Sequence, residues 1–395
     1  MRESLIKAVL LIVAVGLTSS ITIASPQTSG GANGRDCEPT ATSRIEESCG
    51  DPLLRNPFAL AAAMHPEASS QSEKGSSEPI KLETGYRVTK KFAVPGDGGW
   101  DYISVDSEAR RVYVSHGDVI QVLNADSGKL VGEIAAPGAH GVALAPDLKR
   151  GFTSNGKDKS VTIFDTKTLT VIKTVKLEGG TDAILYDPFT KRVFPMNEKI
   201  TVIDAESGEV AGSIDLGGDP EAAVSDGKGT VYVNLADKQA VAVLDPKALS
   251  VSKTYPMDHC SSPHSLSLDT SNSRLFVGCR DGLVVLDATT GKAVTSSLMC
   301  TGVDSSGFDP DNKLIFESCS EGVISVEREF TPDNVRIIET IPTQLWAKTM
   351  AFDPKTKNIY LPTADFEFVP DADPKKPPQR RWKPGTFKVL VLTRK

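Results

Sequence analysis

The sequence predicts an all-β fold built from one repeated unit of four strands, and three observations support this prediction. Short runs of apolar and β-branched residues alternate with turn residues from Gly85 onward. A strand that contains an aromatic residue recurs about every 40 residues, which is the period of one β-propeller blade. Glycine (32) and proline (25) are plentiful while aromatics make up only 6% of the chain, as many short strands joined by turns require.

The clearest copy of the unit lies at residues 263–294. It contains three strands in a row, SLSLD, RLFVGC and GLVVLD, and a fourth strand begins at KAV. Similar segments occur seven times, which indicates seven blades of four strands each. The recurring aromatic residue of the second strand is Tyr113, Phe152, Phe194, Tyr232, Phe276, Phe316 or Tyr360.

The count of strands predicts how the ring of blades closes. The seventh copy supplies only three strands, AKTMAFD, NIYLPT and TFKVLVLTR, and the missing outer strand is YRVTKKFAV at residues 86–94. An N-terminal strand that completes the last blade also removes an exposed sheet edge. The chain is therefore predicted to form a seven-bladed β-propeller over residues 85–395.

The segment before the repeats predicts export. Arg2 and Lys7 precede an apolar run that ends in small residues, which is typical of a signal peptide over residues 1–24, cleaved after Ala24. An uncleaved anchor helix is the alternative, but the run is short and is diluted by Thr and Ser. Residues 25–84 are rich in Ser, Gly, Glu and Pro, so a flexible linker is expected. The mature chain is expected to be a periplasmic or secreted monomer without a membrane span.

Three segments resemble the YVTN-type repeat of the YncE-like family of exported bacterial proteins: TVYVNLADKQAVAVLD, KRVFPMNEKITVIDAESGEVAGSIDLGG and RVYVSHGDVIQVLNADSGKLVGEI. The resemblance covers residues 86–395 and implies the propeller fold, but it implies no particular reaction. The chain departs from the pattern in blades five and six, where Cys279 and Cys319 replace the Asn found at Asn155 and Asn197.

Alignment of the repeats places one polar residue of each blade at the mouth of the central channel. Convergent carboxylates and imidazoles could bind a divalent cation or a polar ligand, or supply an acid and a base with shifted pKa values. Channel mouths are also hydrated, so polar residues there do not require a ligand. The seven residues, called the ring below, are Asp101, His140, Asp182, Glu221, His264, Asp304 and Lys348.

The histidines and cysteines add detail to this face. His116, His140, His259 and His264 all map to it. Cys260 and Cys300 each precede a ring residue by four positions, and Cys279 and Cys319 end the second strands of the same two blades. Entry loops and the ends of second strands meet at one face, so the pairs Cys260–Cys279 and Cys300–Cys319 are predicted.

Two alternatives remain for these cysteines and their neighbours. The thiols could instead form a copper or zinc site with His259 and His264. Cys37 and Cys49 precede the repeats and could close a small loop of their own.

The loop at residues 364–385 replaces a tight turn of blade seven and is expected over the same face. Its sequence is first acidic and then basic, with Trp382 in the basic part. It could be a lid or a contact for a partner, or a solvated Pro-rich extension. A basic aromatic tract could touch nucleic acid, but the net charge of −7 argues against a nucleic-acid partner.

These observations predict a binding or scaffold protein whose ligand face is the ring at the channel mouth, with a small polar ligand or a protein as its partner. A metal-dependent hydrolase, such as a lactonase, or a lyase is the alternative, and a divalent cation is the only cofactor that the ring suggests. No HExxH motif or CxxC pair occurs in the sequence, and no residue is placed as an obvious nucleophile with its base.

Overall fold

The computed structural model describes residues 83–395 except 198, 281 and 371–377. These residues belong to one compact unit, Ser76–Lys395. The predicted signal peptide, most of the predicted linker, and Cys37 and Cys49 lie outside the described residues. In the part of the chain that is described, no helix is long and apolar enough to cross a membrane.

The unit is a β-propeller of seven four-stranded antiparallel sheets, as the repeats predict. Blades one to three follow one another along the chain. Blade one contains β2 (Ile103–Asp106), β3 (Arg111–His116), β4 (Val119–Asn124) and β5 (Leu130–Ala135). Blade two contains β6 (Ala139–Ala145), β7 (Arg150–Asn155), β8 (Ser160–Asp165) and β9 (Val171–Lys176). Blade three contains β10 (Ile184–Asp187), β11 (Arg192–Pro195), β12 (Lys199–Asp204) and β13 (Val210–Asp215).

Blades four to six continue the same order. Blade four contains β14 (Pro220–Ser225), β15 (Val231–Leu235), β16 (Ala240–Asp245) and β17 (Ser250–Pro256). Blade five contains β18 (Ser265–Asp269), β19 (Arg274–Cys279), β20 (Gly282–Asp287) and β21 (Ala293–Leu298). Blade six contains β22 (Val303–Asp309), β23 (Leu314–Cys319), β24 (Val323–Thr331) and β25 (Asn334–Pro342). Short 3₁₀ turns at Pro146–Leu148 and Ala236–Lys238 lie in blades two and four.

Blade seven joins the two ends of the propeller chain, as predicted. Its strands are β26 (Ala351–Phe352), β27 (Ile359–Thr363), β30 (Lys388–Arg394) and the N-terminal β1 (Tyr86–Ala93). Strand β1 pairs antiparallel with β30, with Tyr86 opposite Arg394. A separate two-stranded hairpin, β28 (Phe366–Val369) and β29 (Gln379–Trp382), extends from this blade.

The core lies between the blades, and the repeated aromatic residue of each second strand is at its centre. Tyr113, Phe152, Phe194, Phe276 and Phe316 are all fully buried. Burying such a side chain contributes about 2–3 kcal/mol. The repeated aromatic therefore explains both the period of the sequence and the packing of neighbouring sheets.

Candidate functional site

The ring residues meet at one cavity at the mouth of the channel. Each side chain comes from the loop that enters an inner strand or from the start of that strand, so the seven blades deliver them to the same level. The cavity has a volume of about 290 Å³. The ring residues that line it are Asp101, Asp182, Glu221, His264, Asp304 and Lys348.

The seventh ring residue, His140, contacts its neighbours on both sides. Its Nδ1 lies 2.8 Å from Asp101 Oδ2 and 3.1 Å from Asp182 Oδ1. The hydrogen on Nδ1 forms a hydrogen bond with Asp101, and the charge of the same imidazole attracts Asp182 Oδ1. We call Asp101, His140, Asp182 and Glu221, from blades one to four, the carboxylate half of the ring.

The ionisable groups of this half strongly affect each other's pKa values. The hydrogen bond with Asp101 and the contact with Asp182 raise the pKa of His140 to about 10, so the imidazole is protonated at neutral pH. Burial alone would raise the pKa of Asp182, but the interaction with His140 lowers it below the usual range. For Asp101, burial prevails over the contact with His140 and raises the pKa of the carboxyl group.

Glu221 is the ring carboxyl that titrates near neutrality. Burial, together with repulsion by Asp182, Asp219 and Asp304, raises its pKa to about 7. The nearest basic ring residue is His264, whose Nε2 lies 3.9 Å from Glu221 Oε1. Glu221 can therefore either accept or donate a hydrogen bond to a ligand at neutral pH.

The carboxylate half is also the candidate metal site. One donor atom each of Asp101, His140 and Asp182 lies within 4.8 Å of the other two. Nitrogen and carboxylate ligands of this kind suit divalent cations such as Mn²⁺ or Zn²⁺. A metal ion would have to displace the proton on His140, so its affinity would fall as the pH is lowered.

The other side of the ring is held covalently. Disulfides join Cys260 to Cys279 and Cys300 to Cys319, with Cα–Cα distances of 5.2 and 6.1 Å, so the predicted pairing is confirmed. Each bond ties the entry loop of a blade to the end of its second strand. No thiolate of these four cysteines remains for the copper or zinc alternative. We call the two disulfides, His264, Asp304 and Lys348 the disulfide half of the ring.

Polar contacts orient the side chains of the disulfide half. Lys348 Nζ lies 2.6 Å from Asp304 Oδ2. Burial would lower the pKa of Lys348, but the charge and hydrogen bond of Asp304 raise it, so the lysine stays protonated. The Nδ1 of His264 lies 3.0 Å from the carbonyl oxygen of Ser262, and its Nε2 lies 3.3 Å from Arg280 Nη2.

Sequence comparison of the blades did not select several residues that line the cavity. Tyr102, Arg280, Ser320 and Trp346 also line the cavity, outside the ring positions. Their position in the sequence was the available signal: Tyr102 follows a ring residue, and Arg280 and Ser320 each follow a disulfide cysteine. Gly302 is also required in the wall, since it has a φ of +69° and a Cβ there would clash with Ser320 Oγ.

The blade-seven hairpin lies next to the cavity wall at Trp346. The guanidinium of Arg380 stacks on Trp346 and on Trp382, 3.4 and 4.6 Å from the two ring centroids. Trp382 in turn packs on Trp100, with ring centroids 4.5 Å apart. The loop predicted over this face therefore contains an ordered hairpin, and it joins all three tryptophans of the chain into one cluster.

The remaining histidines of this face do not line the cavity. His116 is buried, its Nδ1 lies 2.9 Å from Gln121 Oε1, and its ring packs on Phe387. His259 lines a separate groove beside Cys260 and Leu298. Of the four histidines mapped to this face, the structure thus brings two, His140 and His264, to the ring.

Comparison with known proteins supports the fold alone. No family model and no curated protein matches the chain. Among solved structures, one similar chain belongs to the hydrazine synthase of Kuenenia stuttgartiensis, with 14% identity, a TM-score of 0.60, and coverage of 73% of this chain and 96% of that chain. A chain of the mitotic checkpoint complex is similar with 14% identity, a TM-score of 0.63, and coverage of 75% and 95%. At this identity the shared feature is the β-propeller fold.

Proposed function

We propose that this protein is an exported propeller of the YVTN-repeat type that binds a small polar ligand or a partner group at the channel mouth. The observation that carries the proposal is the cavity of about 290 Å³, which six aligned ring residues line together. Concave sites with a few convergent polar groups and shifted pKa values are the usual location of ligand binding. The two disulfides favour an oxidising compartment.

Ligand-induced stabilisation tests the proposal. Purified protein is melted against a panel of sugars, amino acids, organic acids, amines and divalent metal salts, because a ligand that binds only the folded state raises the melting temperature. We expect at least one class to raise it, and we expect Glu221→Gln and Asp182→Asn to abolish the rise. Glu209→Gln, at an exposed position of blade three, is the matched control and should keep it. If no class stabilises the protein, or the variants respond like wild type, the proposal is wrong.

Export is tested separately. We expect the mature chain in the periplasm or the medium, with a new N-terminus after Ala24 in intact-mass measurement. A full-length chain that stays with the membrane would instead support the anchor alternative.

A metal-dependent hydrolase or lyase is the second candidate, because Asp101, His140 and Asp182 offer three ligand atoms within 4.8 Å. Metal analysis of the purified protein and melting with Zn²⁺, Mn²⁺ or Ca²⁺ distinguish the two candidates. A stoichiometric ion that is lost in Asp182→Asn would favour the enzyme, whereas a metal-free protein with unchanged melting would favour the binding protein. Metal affinity should also rise with pH as His140 loses its proton.

A further inference from the structure

We propose that the ligand of the channel mouth is a small amino carboxylate, whose carboxylate binds Arg280 and whose ammonium group faces Glu221 and Asp182. This inference rests on the proposed function and adds the chemical class of the ligand. It begins with Arg280, the cavity-lining cation that is not a ring residue. Among the described residues, no carboxylate lies within ion-pair distance of its guanidinium.

The backbone of Arg280 is fixed on every side. The preceding residue, Cys279, is bonded to Cys260. The Arg280 N–H donates to the carbonyl oxygen of Ser261 at 2.9 Å, and its own carbonyl oxygen accepts from the N–H of Gly302 at 2.7 Å. A side chain on a backbone held this way loses less conformational freedom when it binds a ligand.

His264 orients the guanidinium. Its Nδ1 lies 3.0 Å from the carbonyl oxygen of Ser262, which places a hydrogen on Nδ1. Nε2 lies 3.3 Å from Arg280 Nη2, whose N–H can donate to it. This contact occupies one of five guanidinium N–H groups and leaves the others for a ligand. The planar fork of Arg matches the geometry of a carboxylate.

Carboxyl groups of the same cavity supply the complementary charge. Glu221, Asp182 and Asp101 line it, and Asp182 Oδ1 lies 3.1 Å from Nδ1 of protonated His140. Protonated His140 offsets one of these negative charges, and the Lys348–Asp304 pair is neutral as a whole. Together, His140 and Arg280 offset two of the three carboxylates, so a ligand with one positive and one negative group fits better than a simple anion or cation.

The size of the cavity limits the ligand. A volume of about 290 Å³ is at the small end of ligand pockets, which are typically about 300–1,000 Å³. Such a volume suits a molecule of amino-acid size rather than an oligosaccharide or a nucleotide.

A length series of ω-amino acids tests the inference. The probes are glycine, β-alanine, 4-aminobutyrate and 5-aminopentanoate, each compared with the alkylamine and the carboxylic acid of matching length by calorimetry and NMR titration. We expect one amino acid of the series to bind about ten-fold or more tightly than both of its singly charged analogues. The chain length with the highest affinity measures the distance between Arg280 and the carboxyl groups of Glu221 and Asp182.

Variants assign the two ends of the ligand. Arg280→Gln should remove the advantage of the amino acid over the amine, and Glu221→Gln should remove its advantage over the carboxylic acid. Arg336→Gln, at an exposed position of the blade-six outer strand, is the control and should bind like wild type. Circular dichroism and the melting temperature confirm that each variant is folded.

Three outcomes overturn the inference. The first is equal affinity for the amino acids and their singly charged analogues. The second is unchanged binding in Arg280→Gln, and the third is the absence of measurable binding across the series. If another class of compound stabilises the protein and Glu221→Gln abolishes that effect, the proposed function survives and the amino carboxylate assignment fails. If nothing binds at the mouth, both fail.

Discussion

The two halves of the ring occupy equivalent positions in the blades but are held in different ways. In the carboxylate half, His140 binds the side chains of both neighbouring blades, Asp101 at 2.8 Å and Asp182 at 3.1 Å. In the disulfide half, covalent bonds tie the entry loops of blades five and six to their own blades. The first arrangement depends on the charge of an imidazole, and the second depends on the redox state of the cysteines.

This difference shows that one propeller can stabilise the same loop position by two independent means. Electrostatic contacts link neighbouring blades, so they respond to pH and to ligands that carry charge. Disulfides act within a blade and mainly limit the freedom of the unfolded chain. We therefore expect reductants to weaken the disulfide half and alkaline pH to weaken the carboxylate half.

The largest effect should come from the disulfides. Both bonds join cysteines separated by 19 residues, and closing a loop of this length is worth about 3 kcal/mol. We expect the double variant Cys260→Ser/Cys279→Ser to lose about this much of the free energy of unfolding in urea titrations. The free energy of the variant should also depend less on reductant, since only one of the two bonds remains to be reduced.

His140 serves as the control for that experiment. NMR titration should give the same pKa of His140, about 10, in the oxidised wild type and in the cysteine variant. A large shift of this pKa in the variant would show that the two halves are coupled. That result would contradict the independence of the two halves.

The next effect concerns a buried carboxyl group of blade six, outside the ring. Glu317 is fully buried, and its Oε2 accepts a hydrogen bond from Ser265 at 2.6 Å, while Oε1 has no hydrogen-bond partner among the residues that the structure describes. Burial first, and then repulsion by Glu327, raise the pKa of Glu317 well above the usual range. Stability contributed by the neutral acid is thus present below the pKa of the unfolded chain and lost as pH rises toward the folded value.

Glu317→Gln keeps the shape of the neutral acid but cannot ionise. We expect it to be more stable than wild type by about 1–3 kcal/mol at pH 8 and similar to wild type near pH 4. Urea unfolding at both pH values measures the difference. A variant less stable than wild type at pH 8 would show that the ionised carboxylate has a partner in the folded protein.

A smaller effect is expected in the carboxylate half, from the variant Asp101→Asn. The raised pKa of His140 contributes stability that is complete below the unfolded pKa of about 6.5 and is lost as pH rises through about 10. Since the side chain is 37% exposed, we expect this contribution to be about 1 kcal/mol or less. Wild type should therefore lose more stability than Asp101→Asn between about pH 6 and pH 10. Parallel pH profiles for the two proteins would contradict the charge-dependent description of the carboxylate half.

The smallest effect should come from the hairpin beside the disulfide half. Arg380→Ala removes the stack on Trp346 and Trp382, which is worth about 0.5–1 kcal/mol. All three tryptophans of the chain lie in this cluster, so the emission maximum of intrinsic fluorescence should shift to the red. Arg381→Ala removes only an exposed pair with Glu367 and should leave the emission unchanged. An equal shift in both variants would show that the stack on Arg380 does not hold the hairpin.

Much of the candidate site could be predicted from the sequence because the repeats are local and regular. Alignment of the blades placed Asp101, Asp182 and Glu221 at one level, and the structure has them on one cavity. The pairing Cys260–Cys279 followed from the same regularity, since both cysteines lie at the ends of neighbouring segments of one blade.

Contacts between blades could not be predicted in this way. Trp346 lies next to Arg380 because the hairpin of blade seven packs beside the cavity wall. Glu317 looks like an ordinary exposed strand position, yet it packs on Ser265 of the neighbouring blade, where Gly278 leaves room for it. The repeat pattern of the sequence does not indicate these contacts between side chains of different blades.

The amino-acid sequence alone was sufficient for the number of blades, the closure by β1 and the residues at the channel mouth, because each depends on the two-residue alternation of strands and on turns within a blade. The protonation of His140, the exposure of Arg280 to the cavity and the burial of Glu317 were decided only by the tertiary structure. These properties depend on the distances between side chains of different blades and on the water that packing excludes.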